Sequence, residues 1–336
     1  MSVVHFLDLR KTYKDNHLLM FERFLEKVNA HAVVENRSVC TIKIHVGEQG
    51  NYTYVNPLYV QKVCDHVRQA KGSPLLADTT TLYNGRRHRG DLHIDLAREH
   101  GFTFAPFIVG DGLFGDDYVE VNGSKIASLF TRISSMICVS HFKGHLNCGF
   151  GGAIKNLGMG CASKGGKLQM HSHSKPSINQ ERCTLCLRCV DYCIFNAVKK
   201  DPKKVAIDER LCTGCGGCMS ICPERAIVFT WDAASTDLQK SIARYAANSV
   251  HTVKVFYITF LMNITPNCDC FHTNEPMIAE DVGILASVDP VSLDQACYDM
   301  IKQAVDNLRP DVNSEDQLAF AEEFGLGERS YEIKGV

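Results

Sequence analysis

The sequence predicts an α/β fold: a mostly parallel sheet with helices on both faces, into which a small cysteine-rich module is inserted. Three observations carry this. Short apolar runs alternate with helix patterns from about residue 38 to residue 140. The same alternation returns after residue 235. Between them, eight cysteines fall into two equally spaced sets. Strand–helix alternation builds βαβ units and therefore parallel pairing. The expected division is 1–174 for the first part of the α/β domain, 175–231 for the inserted module and 232–336 for the second part of the α/β domain.

The elements follow in order. Residues 38–47, SVCTIKIHVG, form a short apolar alternation and predict a strand. Residues 56–72, NPLYVQKVCDHVRQAKG, open with a capping Asn and a Pro in the first turn and close on Gly, the end signals of a helix. PLLAD (74–78) is the next buried strand, and GDLHIDLAREHG (90–101) is a helix closed by Gly. APFIVGDG and SSMICVSHF predict further strands. After the module, residues 236–250 predict a helix, 253–264 and 282–289 predict strands, and 289–308 predict an amphipathic helix with Pro near its start. The acidic segment after Pro310 predicts a surface helix or a partly loose tail. Cys40, Cys64, Cys138 and Cys297 sit in apolar patterns and are expected in the core.

Composition narrows the class. With 45% hydrophobic and 22% charged residues, the 336-residue chain has the make-up of a globular enzyme. A net charge of -2 argues against bulk nucleic-acid binding. The N-terminus lacks a basic segment followed by an apolar run, so no signal peptide is expected. The most apolar stretch, VKVFYITFLMNI, is too short to span a bilayer. Sixteen cysteines without an export signal point to a reducing, cytoplasmic setting.

Half of those cysteines carry a specific pattern. Cys183, Cys186, Cys189 and Cys193 follow C-x2-C-x2-C-x3-C, and so do Cys212, Cys215, Cys218 and Cys222, with Pro223 after the last. This duplicated run is the bacterial two-cluster ferredoxin arrangement, in which the fourth cysteine of each run serves the other cluster. The expected cofactors are therefore two [4Fe–4S] clusters. Cys183, Cys186, Cys189 and Cys222 hold the first, and Cys193, Cys212, Cys215 and Cys218 the second. Structural zinc is the competing reading of paired C-x2-C motifs, and a duplicate eight-cysteine run fits it poorly. Ile194 follows Cys193 where Pro is common; no ligand is lost by this.

Upstream lies HFKGHLNCGFGGAIKNLGMGCASKGGKLQMH (141–171), rich in Gly, with four Lys, three His and no acidic residue. Dense glycine lets backbone N–H groups approach an anion closely. The stretch therefore predicts a cationic loop lining a site for an anionic small molecule or a phosphorylated cofactor, with Gly151, Gly152 and Lys155 in contact with it. No P-loop pattern is present. Asp78 stands at a predicted strand end, before Arg86, Arg87, His88 and Arg89. Ligands in parallel sheets sit beyond such ends, and paired arginines clamp carboxylates or phosphates. Arg86 and Arg87 join the cofactor-binding candidates. His93 is expected at the surface or in packing, Asp111 and Gly112 in a plain turn, and His173 in a linker. Cys268, Asp269, Cys270 and His272, in NCDCFH, read either as buried thiols or as an extra soft metal or redox site at Cys268 and Cys270.

The 141–171 stretch, the cysteine repeat, NITPNCDCFHTNEP and DVGILASVDPVSLDQACYDMI together resemble the Fe–S centre proteins that carry domain of unknown function 362. That resemblance implies an α/β domain with an inserted ferredoxin. A shorter resemblance is to the nickel-pincer lactate racemase family, in the order His145, GFGGAIK with Lys155, and His171, with GRRHR and its His88 upstream. It implies that Lys155 contacts a cofactor, that His171 ligates a metal, and that His88 and His145 are acid–base groups. Three functions follow as expectations. The first is an iron–sulfur oxidoreductase passing electrons between the clusters and a site in the α/β body, with His88, His145, Lys155 and His171 as its catalytic candidates. It takes an additional organic or metal cofactor in that site and a ferredoxin- or reductase-type partner, with the anaerobic setting that such clusters favour. The second is an electron carrier docking to a larger redox partner. The third is a pincer-type racemase or isomerase with structural clusters.

Overall fold

A computed structural model describes residues 1–10, 16–172, 175–230, 233–272 and 275–336. His173 and the expected boundaries of the module at 174 and 231–232 lie outside the described residues. Eight strands form one sheet: β1 Ser2–Asp8, β2 Val39–Lys43, β3 Ser73–Asp78, β4 Phe107–Val109, β5 Ser135–His141, β6 Lys254–Leu261, β7 Gly283–Ser287 and β8 Tyr331–Gly335. Their order is β8-β1-β7-β6-β5-β2-β3-β4. All neighbours pair in parallel except at β7, which runs antiparallel to β1 and to β6. The sheet is thus mostly parallel.

Successive side chains of a strand point to opposite faces, and the core divides accordingly. In β5, Met136 and Cys138 enter one apolar layer and Ile137 and Val139 the other. On the first face pack the helices Ala153–Gly158, Ser235–Val250 and Pro290–Leu308. On the second pack His17–Lys27 and Pro57–Gln69. Helix ends obey their sequence signals. The Asn56 side chain accepts from Leu58 N at 2.9 Å, and Asp289 accepts from Val291 N at 2.8 Å and Ser292 N at 3.1 Å. Cys40 and Cys64 lie fully buried in the second layer, Cys138 and Cys297 in the first.

Two elements depart from the expectation. The segment after Pro310 is not only a surface helix. Asp316–Glu323 buries Gln317, Leu318 and Ala321, and Tyr331–Gly335 extends the sheet beside β1. The reason is that β1 would otherwise leave an unpaired edge. The 141–171 stretch is not a loop. It is the end of β5, a hairpin of Lys143–His145 and Gly149–Gly151, and the helices Ala153–Gly158 and Lys164–His171. Its apolar residues Phe142, Phe150, Ile154 and Leu157 are completely buried and hold it in place.

The cysteine-rich segment folds around a small core of its own: Cys189, Val198, Val205 and Ile227. Two short strands, Ser177–Ile178 and Ile227–Val228, pair antiparallel where it meets the body, and Val198–Asp201 pairs with Lys204–Ile207. It docks on the body through buried and partly buried polar contacts. Lys164 Nζ donates to His88 O at 2.5 Å and to Ser220 Oγ, and Ser220 Oγ donates to Phe114 O at 2.8 Å. Tyr192 donates to Asp116 at 2.5 Å. A Cβ on Gly165 would lie 2.6 Å from Gly214 O, so helix and cysteine loop meet backbone to backbone.

Candidate functional site

A cavity of about 550 Å³ opens beyond the carboxyl ends of β2, β3, β5 and β6. This is where a parallel sheet leaves a crevice for ligands. Two strand-end residues, Asp78 and His141, line it, and a third, Lys43, is bonded to lining residues from behind. Lys43 ends β2 and is fully buried. Its Nζ donates to Asp78 Oδ1 at 3.0 Å and to Asn156 Oδ1 at 2.7 Å. Asp78 ends β3 and also receives Arg87 at 3.4 Å, while Arg87 faces Glu48 at 3.5 Å. Burial alone would raise the Asp78 carboxyl; the adjacent Lys43 and His93 override it and hold it well below the usual range. His141 ends β5, with Nδ1 at 2.9 Å from the buried Asp269 carboxylate. Lys143 lies 3.5 Å from the same carboxylate. Against the effect of burial, His141 and Lys143 keep Asp269 far below its ordinary value.

The helix Ala153–Gly158 carries Lys155 to the cavity wall. Gly152, just before it, has no room for a side chain: a Cβ would lie 2.3 Å from Asp294 Oδ1. That approach lets the Asp294 carboxylate accept Ala153 N at 2.7 Å and Ile154 N at 2.8 Å, so the helix start is capped from the distant helix Pro290–Leu308. Asn156 ties the same helix to the sheet by donating to Val139 O at 2.9 Å. Among the described residues, the Lys155 ammonium makes no hydrogen bond or ion pair, and it faces the cavity. His145 and His171 line the same cavity. Burial, with Lys155 adding repulsion, lowers both imidazoles, His171 to about 3, so both are neutral at pH 7.

The opposite wall is the segment after β6. Cys268 Sγ and Cys270 Sγ stand 2.7 Å apart, and His45 Nε2 is 3.6 Å from Cys270 Sγ. All three donor atoms lie within 4.8 Å of one another. The contact from Cys268 draws the Cys270 thiol well below its ordinary range despite burial, with Arg87 and Lys155 adding to the effect, and Cys268 is pushed up in turn. The pair thus shares one proton.

Several residues singled out in the sequence converge here: Arg87, His145, Gly152, Lys155, His171, Cys268 and Cys270 all line the cavity. Others do not. Arg86 turns outward into a two-pronged pair with Glu99 at 2.7 and 2.8 Å, and Arg89 pairs with Asp91. His88 lies outside the lining, its Nδ1 2.7 Å from Gly85 O and its carbonyl accepting Lys164. Gly151 is buried beside the Lys155 and Lys143 side chains. Of its two expected places His93 takes the packing one, wholly buried 3.5 Å from Asp78 and against Phe107. Asp111 is buried and accepts Thr80 N at 2.8 Å and Thr80 Oγ1 at 2.7 Å, which pins the loop after β3. His45, Glu48 and His141 also line the cavity, with little in the sequence to mark them. His45 follows an apolar strand, and its only local signal was its position past the strand's end.

In the module, the eight cysteines line two separate cavities. One, of about 180 Å³, is lined by Cys193, Cys212, Cys215 and Cys218; the other by Cys183, Cys186, Cys189 and Cys222. Around the second cysteine of each run the backbone is left-handed: Leu185 (φ 57°) and Leu187 (φ 63°) in the first, Gly214 (φ 65°) and Gly216 (φ 80°) in the second.

Known proteins place the chain further. It is similar to the indolepyruvate oxidoreductase subunit IorA of Archaeoglobus fulgidus, 51% identical over 47 residues, covering 14% of this chain and 8% of that one. The subunit of the same name from Pyrococcus abyssi is 40% identical over 48 residues, covering 14% and 7%. The chain thus spans less than a tenth of the length of these relatives. Among solved structures it is similar to the lactate racemase apoprotein from Thermoanaerobacterium thermosaccharolyticum, with TM-score 0.41, 9% identity, and coverage of 90% of this chain and 58% of that one. A Thermotoga maritima crystal structure gives TM-score 0.36 at 12% identity, covering 85% and 59%. The family model described as domain of unknown function (DUF362) matches residues 40–299, from β2 through the cysteine-rich module and into the helix Pro290–Leu308, and the chain belongs to that family.

Proposed function

We propose that this chain is an iron–sulfur oxidoreductase in which electrons pass between two [4Fe–4S] clusters in the inserted module and a ligand or cofactor in the 550 Å³ cavity. One observation carries the reading: the cysteines sort into two four-thiol cavities, with Cys193 and Cys222 exchanged between the runs. That exchange is what a two-cluster ferredoxin requires. Held there, the clusters supply and accept single electrons. The indolepyruvate oxidoreductase relatives agree with a redox role in its coarse form.

The chain's own residues join the two regions. The eight-residue helix Lys164–His171 touches the Cys215 loop at Gly165 and lines the cavity at Lys167 and His171, a span of about 12 Å at about 1.5 Å per residue. In the cavity, Lys143 and Arg87 stand beside carboxylates, and Lys155, without an ion pair among the described residues, is the cation that suits an anionic small molecule or a phosphorylated cofactor. His145 and His171, held neutral, can take up a proton there. On the module's outer side Cys186 and Ile194 are exposed, Ile194 by 84%, which suits contact with a ferredoxin- or reductase-type partner.

Anaerobic isolation, metal analysis and mass spectrometry of the denatured supernatant test this. The expected result is about eight iron atoms per chain. A small molecule should be retained by the wild type and lost from Lys155→Ala with its iron intact. Full ligand content and activity in Lys155→Ala would refute the assigned site, and a chain that never takes up iron would refute the clusters. Stoichiometric nickel would instead favour the pincer-type isomerase, and an empty cavity the electron carrier.

A further inference from the structure

The wall formed by Cys268, Cys270 and His45 has two chemical readings, and the hydrogen bonding separates them. Two thiols and an imidazole within 4.8 Å have the composition of a soft-metal site. But Gly47 N donates to His45 Nδ1 at 3.1 Å. Nδ1 is therefore the acceptor, and the neutral ring carries its proton on Nε2, the nitrogen that faces Cys270 at 3.6 Å. A metal would need the lone pair of that same Nε2. The ring as held is a donor to sulfur, and the sulfurs are already in contact with each other at 2.7 Å rather than spread around a common centre. Two thiolates bound tetrahedrally to one zinc at about 2.3 Å would stand about 3.8 Å apart.

We infer that Cys268 and Cys270 form a redox-active dithiol that cycles with its disulfide and stores an electron pair between the single-electron clusters and the cavity. This deepens the proposed function and rests on its cluster reading for the source of electrons. In the reducing direction the Cys268–Cys270 S–S bond breaks and two electrons arrive one at a time from the reduced clusters. One proton, taken up from bulk solvent, ends on Cys268. Cys270 remains a thiolate, receiving hydrogen bonds from Cys268 S–H and His45 Nε2–H, with the cations Arg87 and Lys155 on the same cavity. In the other direction the pair gives two electrons to a cavity ligand or back to oxidised clusters and loses that proton. Cys270 is the partly exposed member and Cys268 the buried one, so the cavity meets Cys270 first. His45 acts through the sulfur as a positioning residue.

The experiment uses the full chain, isolated anaerobically with its iron. It is equilibrated at graded ratios of reduced to oxidised dithiothreitol, acid-quenched and alkylated, and the peptide holding Cys268 and Cys270 is weighed. A reversible two-electron transition between the doubly alkylated peptide and one lighter by two hydrogens, with no alkylation, is expected. Thiols at every ratio would overturn the inference, as would a zinc ion that survives a chelator wash and disappears in Cys270→Ser. His45→Gln should keep its iron and slow alkylation of Cys270 at pH 7 by about tenfold through loss of thiolate; an unchanged rate would remove the role given to His45. In Cys186→Ser, which breaks a cluster, dithionite should reduce the disulfide at least tenfold more slowly than in the wild type. An equal rate there, with the two-electron transition intact, would overturn the cluster route and leave the dithiol standing, so the two failures are distinguishable.

Discussion

The Asp294 carboxylate accepts the backbone N–H of Ala153 at 2.7 Å across a sequence separation of 141 residues. The helix bearing Lys155 is thereby capped by a side chain from a neighbouring helix far along the chain, in a place where Gly152 leaves it room. Removing a cap costs about 0.5–2 kcal/mol. Asp294→Ala should lower the unfolding free energy by that amount in urea titrations, and ligand retention should fall while iron content stays constant. Gly152→Ala, which pushes into the same carboxylate, should change both readouts in the same direction.

Asp78 anchors the buried charges at the cavity floor. Its removal strands Lys43, fully buried, and Arg87, 2% exposed, without their shared counter-charge. Breaking a buried ion pair from one side costs about 3–5 kcal/mol. Asp78→Ala should therefore destabilise far more than Asp95→Ala, whose pair with Arg98 is exposed. Parallel urea melts of the two variants check this.

The two cysteine runs use the same left-handed backbone with different residues. Leu185 and Leu187 occupy the conformation that Gly214 and Gly216 occupy in the second run. A side chain there costs about 1–2 kcal/mol. Leu185→Gly should therefore raise the thermal stability of the iron-loaded chain. Gly216→Ala should lower it, since its Cβ would also lie 2.8 Å from Lys164 Cγ. Melting curves followed by the visible absorbance of the module report both.

Lys167 gives a pH dependence. Burial depresses its ammonium from 10.5 to about 8, only partly offset by Asp111 and Asp78. Between those values the unfolded chain binds the extra proton, so stability rises with pH across the window; below about 8 both states are protonated and the burial penalty is felt in full. The wild type should gain up to about 3 kcal/mol relative to Lys167→Met between about pH 7.5 and pH 10.5. Unfolding free energies of the pair at both ends of that range measure it, and the difference cancels the thiols and tyrosines that titrate in both chains.

Much of this was legible from the sequence because it depends on local period or spacing. The strand at 74–78 and the helices after Asn56 and Asp289 follow from end signals and alternation. The sorting of Cys193 and Cys222 into the cavity of the other run follows from the spacing of the repeat. What was not legible depends on contacts between distant segments. Arg86 and Arg87 are neighbours of identical type, yet one pairs outward with Glu99 and the other lies buried between Asp78 and Glu48. Nothing local distinguishes them. His45 and His141 gain meaning only because β2, β5 and β6 lie side by side and bring them to Cys270 and Asp269. The last strand escaped notice because YEIKG is short and polar, and β1 recruits it through backbone pairing.

The pairing of Ser177 with Val228 has a consequence for how such a chain can arise and change. The cysteine-rich segment is closed near its ends by that pairing, and the eight-stranded sheet draws strands from both sides of the segment and none from within it. Cutting there and splicing the ends would remove the whole cassette while leaving the order of the eight strands unaltered. The cavity and the cysteine cassette are in this sense separable inheritances. Among the contacts that hold them together, the helix Lys164–His171 both meets the cysteine loop and lines the cavity, and changes along it bear on both at once.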